Sequence, residues 1–132
     1  MNRYKKTYTI DFTDVEYYLE MHKVIQKSLD FPDYYGCNWS AFWDSLIEMY
    51  GEPISIEIIG LDVIGRKFED AASKMIEILK RFKHYEPSFT NDIEIALIIG
   101  NTRMSINQQK NSLPNDQQRV FVIMSISLLL TT

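Results

Sequence analysis

One carboxylate stands among aromatic rings in the first half of this chain. Tyr34, Tyr35, Trp39 and Trp43 place four large aromatics within ten residues, and Asp44 directly follows the last of them. On a helix beginning at Asn38, the residues Ser40, Trp43 and Asp44 stand at i, i+3 and i+4 and share one face. An isolated charge beside aromatic anchors suits recognition of a cationic partner, with the carboxylate accepting charge-assisted hydrogen bonds from Arg or His. Part of the same aromatic set is needed simply to seat the helix on a core, and Trp43 and Tyr35 are the candidates for that role.

Other chemistry is thinly supplied. The chain has no G-x-G-x-x-G, Walker A or G-x-S-x-G pattern. Metal ligands are scarce, with one cysteine and two histidines, so neither a metal nor a cofactor is expected. His22 falls on the apolar side of a predicted helix and reads as a core or boundary residue. His84 falls near a helix end, where a positive charge suits the dipole. Cys37 precedes a predicted helix start and would need a nearby base to act as a nucleophile. The carboxylate pairs Asp11 with Asp14 and Glu69 with Asp70 read as helix-start or surface acids. The chain is therefore expected to bind rather than to catalyse.

The elements that must position these residues follow from periodicity. Residues 7–12 alternate apolar and polar and predict a strand. Thr13 with Glu16 reads as a capping box, and Val15, Tyr18, Leu19, His22, Ile25 and Leu29 predict the inward stripe of a first helix. That helix should end near Asp30, because Pro32 disfavours helical geometry before it. Residues 31–36 predict a loop, and Asn38 the N-cap of a second helix running to about Met49, with Ala41, Phe42, Ser45, Leu46 and Met49 inward. Gly51 and Pro53 close it. Residues 54–59 and 93–99 predict core strands, the first with so little polar alternation that burial on both faces is expected. A further helix is expected over Lys67–Lys83, with Ala71, Ala72, Met75, Ile76, Leu79 and Phe82 as its stripe and a short turn before it near Asp62. Strands interleaved with helices argue for an α/β domain with a parallel sheet.

The 132 residues, 45% hydrophobic and 24% charged, suit one globular core. The formal net charge is −4, and its distribution is uneven. Asp11, Asp14, Glu16, Glu20, Asp30, Asp33, Asp44, Glu48, Glu52, Glu57 and Asp62 face only Lys23 and Lys27 over residues 11–62. Such a surface repels nucleic-acid phosphates and attracts basic proteins. The lone cysteine fits a reducing compartment. With no apolar leader at the N-terminus, and a last apolar stretch (120–130) shorter than the roughly 20 residues of a membrane-spanning helix, the expectation is a cytoplasmic protein off the membrane. The domain is expected to occupy residues 1–99, followed by a polar linker over 100–119. Residues 120–132 then form an apolar segment: an added strand, a dimer-forming segment or a tail.

The stretch Pro32–Leu46, PDYYGCNWSAFWDSL, resembles the P-E-Y-Y-G-x-N-x-x-A-L-W-D hallmark of the barstar-like ribonuclease inhibitors, an immunity-protein family. Similar element order extends the resemblance from about Tyr8 to Ile99. It implies a three-stranded parallel sheet packed by helices, to which the C-terminal segment could add a strand. It also implies a function: blocking the active site of a secreted ribonuclease, a basic toxin, before export. By this resemblance Asp44 takes the place of the RNA phosphate against catalytic Arg and His groups. Tyr34 packs on the catalytic histidine, and Trp43 supports the same face. The chain departs from the pattern at Ser40 and Cys37, where the best-studied member has acids. A third family acid falls near Arg81, with Glu77 one turn earlier as its substitute. The predicted docking set is Tyr34, Ser40, Trp43, Asp44 and Glu77. A barstar-like interaction module with a non-nuclease partner is the alternative that Ser40 and Arg81 favour.

Overall fold

The computed structural model describes residues 5–106. Its elements run β1 (Lys6–Asp11), α1 (Tyr18–Ser28), α2 (Trp39–Ile47), β2 (Ile54–Ile59), α3 (Leu61–Lys67), α4 (Ala71–His84), a 3-10 turn (Pro87–Asp92), β3 (Ile93–Ile99) and β4 (Thr102–Ser105). The four strands form one sheet in the order β1-β2-β3-β4. The first three are parallel and β4 runs antiparallel to β3. The fold is thus α/β, with a largely parallel sheet packed by helices and an added C-terminal strand.

Register aligns one apolar row across the sheet. Ile10 lies opposite Ile58, and Ile58 opposite Leu97. Ile10, Ile56, Ile58, Ile95 and Leu97 are fully or almost fully buried, together with Phe12 just after β1 and Met21, Phe42, Leu46, Leu79 and Phe82 from the helical layer. The intervening residues form a more polar second face. Thr9 and Glu94 are exposed and Glu57, Ile59 and Ile98 are half-buried. On that face the Glu57 carboxylate accepts from Thr9 Oγ1 at 3.5 Å and from Arg103 Nη1 at 3.0 Å. The expected burial of β2 on both faces is therefore partly met: on the second face Ser55 is buried, whereas Glu57 and Ile59 are half-buried.

Four boundaries differ from the periodic reading, each for a local reason. Thr13 does not cap a helix; its N–H and hydroxyl both donate to Asp11 Oδ1, at 2.9 and 2.5 Å. The first helix starts later, where the Glu20 carboxylate reaches back to the backbone N–H groups of Glu16 (2.8 Å) and Tyr17 (3.4 Å). That shift leaves Leu19 58% exposed and Tyr18 44% exposed, so neither is in the inward stripe. The helix expected over Lys67–Lys83 starts later, as α4 at Ala71, because Asp70 adopts a left-handed backbone with φ 61°, and the short turn expected near Asp62 is a helix of its own, α3. Strand β4 lies inside the stretch expected as linker: it is a short edge strand, and exposed Thr102, Arg103 and Ser105 hide its pattern. The strand or tail expected over 120–132 lies outside the described residues.

Candidate functional site

The loop before α2 is shaped by a few specific bonds. The Pro32 carbonyl accepts from Tyr35 N at 3.0 Å and from Gln26 Nε2 at 2.8 Å, which ties the turn to the end of α1. Asn38 caps α2 as its sequence predicts: Oδ1 accepts from Ala41 N at 2.8 Å, while Nδ2 donates to the Gly36 carbonyl at 3.2 Å. A Cβ on Gly36 would stand 3.3 Å from both Ala41 Cβ and Asn38 Nδ2, a tight fit that a side chain there would have to relieve by shifting its neighbours. Cys37 supplies the left-handed step, at φ 55°.

The two adjacent tyrosines are used in opposite ways. Tyr34 is 82% exposed, whereas Tyr35 is 6% exposed. The Tyr35 ring packs on Phe31 with centroids 5.3 Å apart. Its hydroxyl shares a 2.8 Å hydrogen bond with His22 Nδ1. Burial pushes the Tyr35 hydroxyl above the ordinary phenol range, reinforced by the neighbouring Cys37 and Tyr18. Burial also lowers the His22 pKa to about 4, so the imidazole is neutral at neutral pH.

Along α2 the faces separate cleanly. Phe42 and Leu46 are buried. Ser40 and Asp44 are exposed, and Trp43 between them is half-buried. The Trp43 indole is held from both sides: the Arg81 guanidinium lies 4.2 Å from its ring centroid, and Tyr85 meets it edge-on at 5.3 Å. Tyr85 stacks in turn on Tyr50, whose hydroxyl donates to the Phe82 carbonyl.

Of the predicted set, Tyr34, Ser40 and Asp44 are thus exposed on the loop and the helix it enters, and Trp43 forms the floor beside Asp44. Glu77 is exposed on α4, but the α4 side chain found against Trp43 is Arg81, one turn on. That geometry was not legible in the sequence, where Arg81 is noticeable only as a departure from a pattern. The His22–Tyr35 bond was also missed, since nothing local links residues thirteen apart. Among the described residues no three His, Cys, Asp or Glu side chains gather as a metal site. Nor is any helix there long and apolar enough to cross a membrane. The arrangement is suited to binding: an exposed carboxylate, an exposed tyrosine and a rigidly seated indole, with one guanidinium at the rim.

Comparison with known proteins matches the chain to a family and to a curated relative. The family model described as Barstar (barnase inhibitor) matches residues 5–97. A curated protein of Bacillus subtilis (strain 168), named "Putative ribonuclease inhibitor YrdF", is 30% identical over 71 residues, covering 54% of this chain and 78% of that protein.

Proposed function

The chain belongs to the barstar (barnase inhibitor) family, and from that premise we propose that it is an inhibitor that occupies the active site of a ribonuclease. In this reading the partner is a basic, secreted toxin and the inhibitor is its cytoplasmic immunity protein. Asp44 stands in for an RNA phosphate and accepts charge-assisted hydrogen bonds from Arg and His groups of the partner. Tyr34 supplies apolar contact area with a polar tip, and Ser40 a neutral hydroxyl on the same face. Trp43 keeps the helix face rigid, while Glu77 contributes negative charge from α4. The acidic run over residues 11–62 steers encounter with a basic partner. No step in this role requires the chain to make or break a covalent bond.

The observation that carries the reading is the exposure of Asp44 on α2 beside the half-buried Trp43, with Tyr34 uncovered on the loop that leads there. A carboxylate turned inward could not reach a docking molecule. The direct test is co-expression with secreted ribonucleases, barnase among them, in a host that each one kills. At least one should be tolerated in the presence of the wild-type chain and lethal in the presence of Asp44→Ala. Rescue by neither form, across ribonucleases from the native host, would contradict the proposal.

One observation favours a second reading. Arg81 places a positive charge against Trp43, within the face assigned to a basic partner. An interaction module of the same fold with a non-nuclease partner would carry such a change. Recovery from the native host of a partner without nuclease activity, bound through Asp44, would select this reading.

A further inference from the structure

The imidazole of His22 touches both parts of the docking face from behind. It is 0% exposed. Nδ1 meets the Tyr35 hydroxyl at 2.8 Å, and Tyr35 is the residue next to Tyr34. The ring also packs edge-on against Trp39, with centroids 4.8 Å apart. Trp39 is the first residue of α2, one turn before Trp43 and Asp44. On its remaining side Tyr18 of α1 lies at 5.2 Å. Nε2 has no hydrogen-bond partner. A buried imidazole nitrogen left unsatisfied costs free energy. A leucine of similar volume would avoid that cost, but would lose the bond to Tyr35 and the edge-on ring contacts with Trp39 and Tyr18.

We infer that His22 is a positioning residue, whose ring locks the Tyr34 loop and the first turn of α2 into one rigid unit. What that unit docks onto rests on the inhibitor reading above; the locking itself does not. The physical logic is that of a shared peg. The Tyr35 hydroxyl is buried, so without His22 it would be an unpaired polar group in an apolar site, and the cheapest remedy is for the loop to open and hydrate it. Opening would carry Tyr34 away from Asp44, because the Pro32–Tyr35 turn and the Gly36–Asn38 cap are continuous with Tyr35 on either side. The depressed pKa of His22 agrees with this geometry, since a proton on the ring would bury a charge.

The chain offers its own reporter of loop opening, because Cys37 is its one cysteine and lies two residues after Tyr35. The test measures Cys37 labelling by an aromatic disulfide reagent at neutral pH, together with amide hydrogen exchange at Tyr35, in the full-length chain. Tyr35→Phe should speed both about tenfold, the loss of one buried hydrogen bond. His22→Leu should speed both at least as much. His22→Asn, whose amide can take the place of Nδ1, should return both to within about threefold of wild type. Exchange in β2 and β3 should be unchanged in Tyr35→Phe, which a general loss of stability would not produce. Asp44→Ala should leave labelling and exchange at the wild-type rate, so that failure of the inhibitor reading and failure of this one are separable. Should His22→Leu not fold, Tyr35→Phe alone decides. Wild-type rates in Tyr35→Phe, or equal acceleration throughout the sheet, would reduce the His22–Tyr35 pair to ordinary core packing and overturn the inference.

Discussion

His22 and Lys83 are both buried polar side chains, and the fold satisfies them in opposite ways. His22, behind the Tyr34 loop, is neutral, has one hydrogen bond and is otherwise ringed by Tyr18, Tyr35 and Trp39. Lys83, under the 3-10 turn, is 3% exposed and directs its ammonium group at the Thr90 carbonyl (2.7 Å) and the Ile93 carbonyl. Burial and the nearby Lys5 lower the Lys83 pKa, and Glu94 opposes them. A neutral pin with a single bond holds the candidate docking face, and a cationic pin with several bonds holds the join between α4 and β3. The difference teaches where each region is vulnerable. The docking face should fail on protonation, and the α4–β3 join on removal of the donor.

Acid is the largest test of this contrast. The folded-state pKa of His22 is lowered from 6.5 to about 4. The unfolded chain therefore takes up the proton first as pH falls, so His22 contributes stability above pH 6.5 that is lost between about 6.5 and 4. The full loss is about 3 kcal/mol. Denaturant titrations across that window should show the fall in wild type and a smaller one in His22→Leu. An identical slope in both would assign the acid sensitivity to other groups.

Lys83→Met should destabilise by about 2 kcal/mol, because the Thr90 and Ile93 carbonyls lose a common donor while an apolar chain of similar length fills the site. It should do so about equally at pH 5 and pH 7, unlike the His22 effect. A more stable Lys83→Met protein would mean that desolvation of the ammonium outweighs its hydrogen bonds, and the contrast would dissolve.

Arg81→Ala is the smallest. Its stacking on Trp43 is exposed, so its loss should cost under about 1 kcal/mol of stability. A red shift in Trp43 fluorescence would report the change. A larger cost would show that the guanidinium, rather than Tyr85 and the core, seats the indole.

Much of this architecture was legible because it depends on near neighbours. The predicted strands over residues 54–59 and 93–99 stand at those limits, and the α4 stripe from Ala71 to Phe82 is buried as its spacing requires. Asn38 caps α2 because an N-cap needs only its own side chain and the next turn. The misreadings involve choices made elsewhere in the fold. Leu19 and Tyr18 fit an apolar stripe, but the helix starts where Glu20 can cap it. Thr102–Ser105 has no strand signal of its own and becomes one by pairing with β3. The same divide runs through the candidate site. Tyr34, Ser40 and Asp44 were nameable from one continuous stretch, whereas Arg81 on Trp43 and His22 on Tyr35 join distant segments and needed coordinates.

In the proposed role Asp44 works by being presented to the partner rather than by supporting the fold. Calorimetric titration of wild type and Asp44→Ala with a ribonuclease that the chain neutralises measures this directly. Truncating one member of a buried interfacial charge pair costs about 2–5 kcal/mol, a range that the barnase–barstar pair itself helped to set. The expected result is an affinity at least about 30-fold weaker with an unchanged thermal midpoint. Equal affinity for the two forms would contradict the assignment of Asp44 and, with it, the phosphate-mimic account of the docking face.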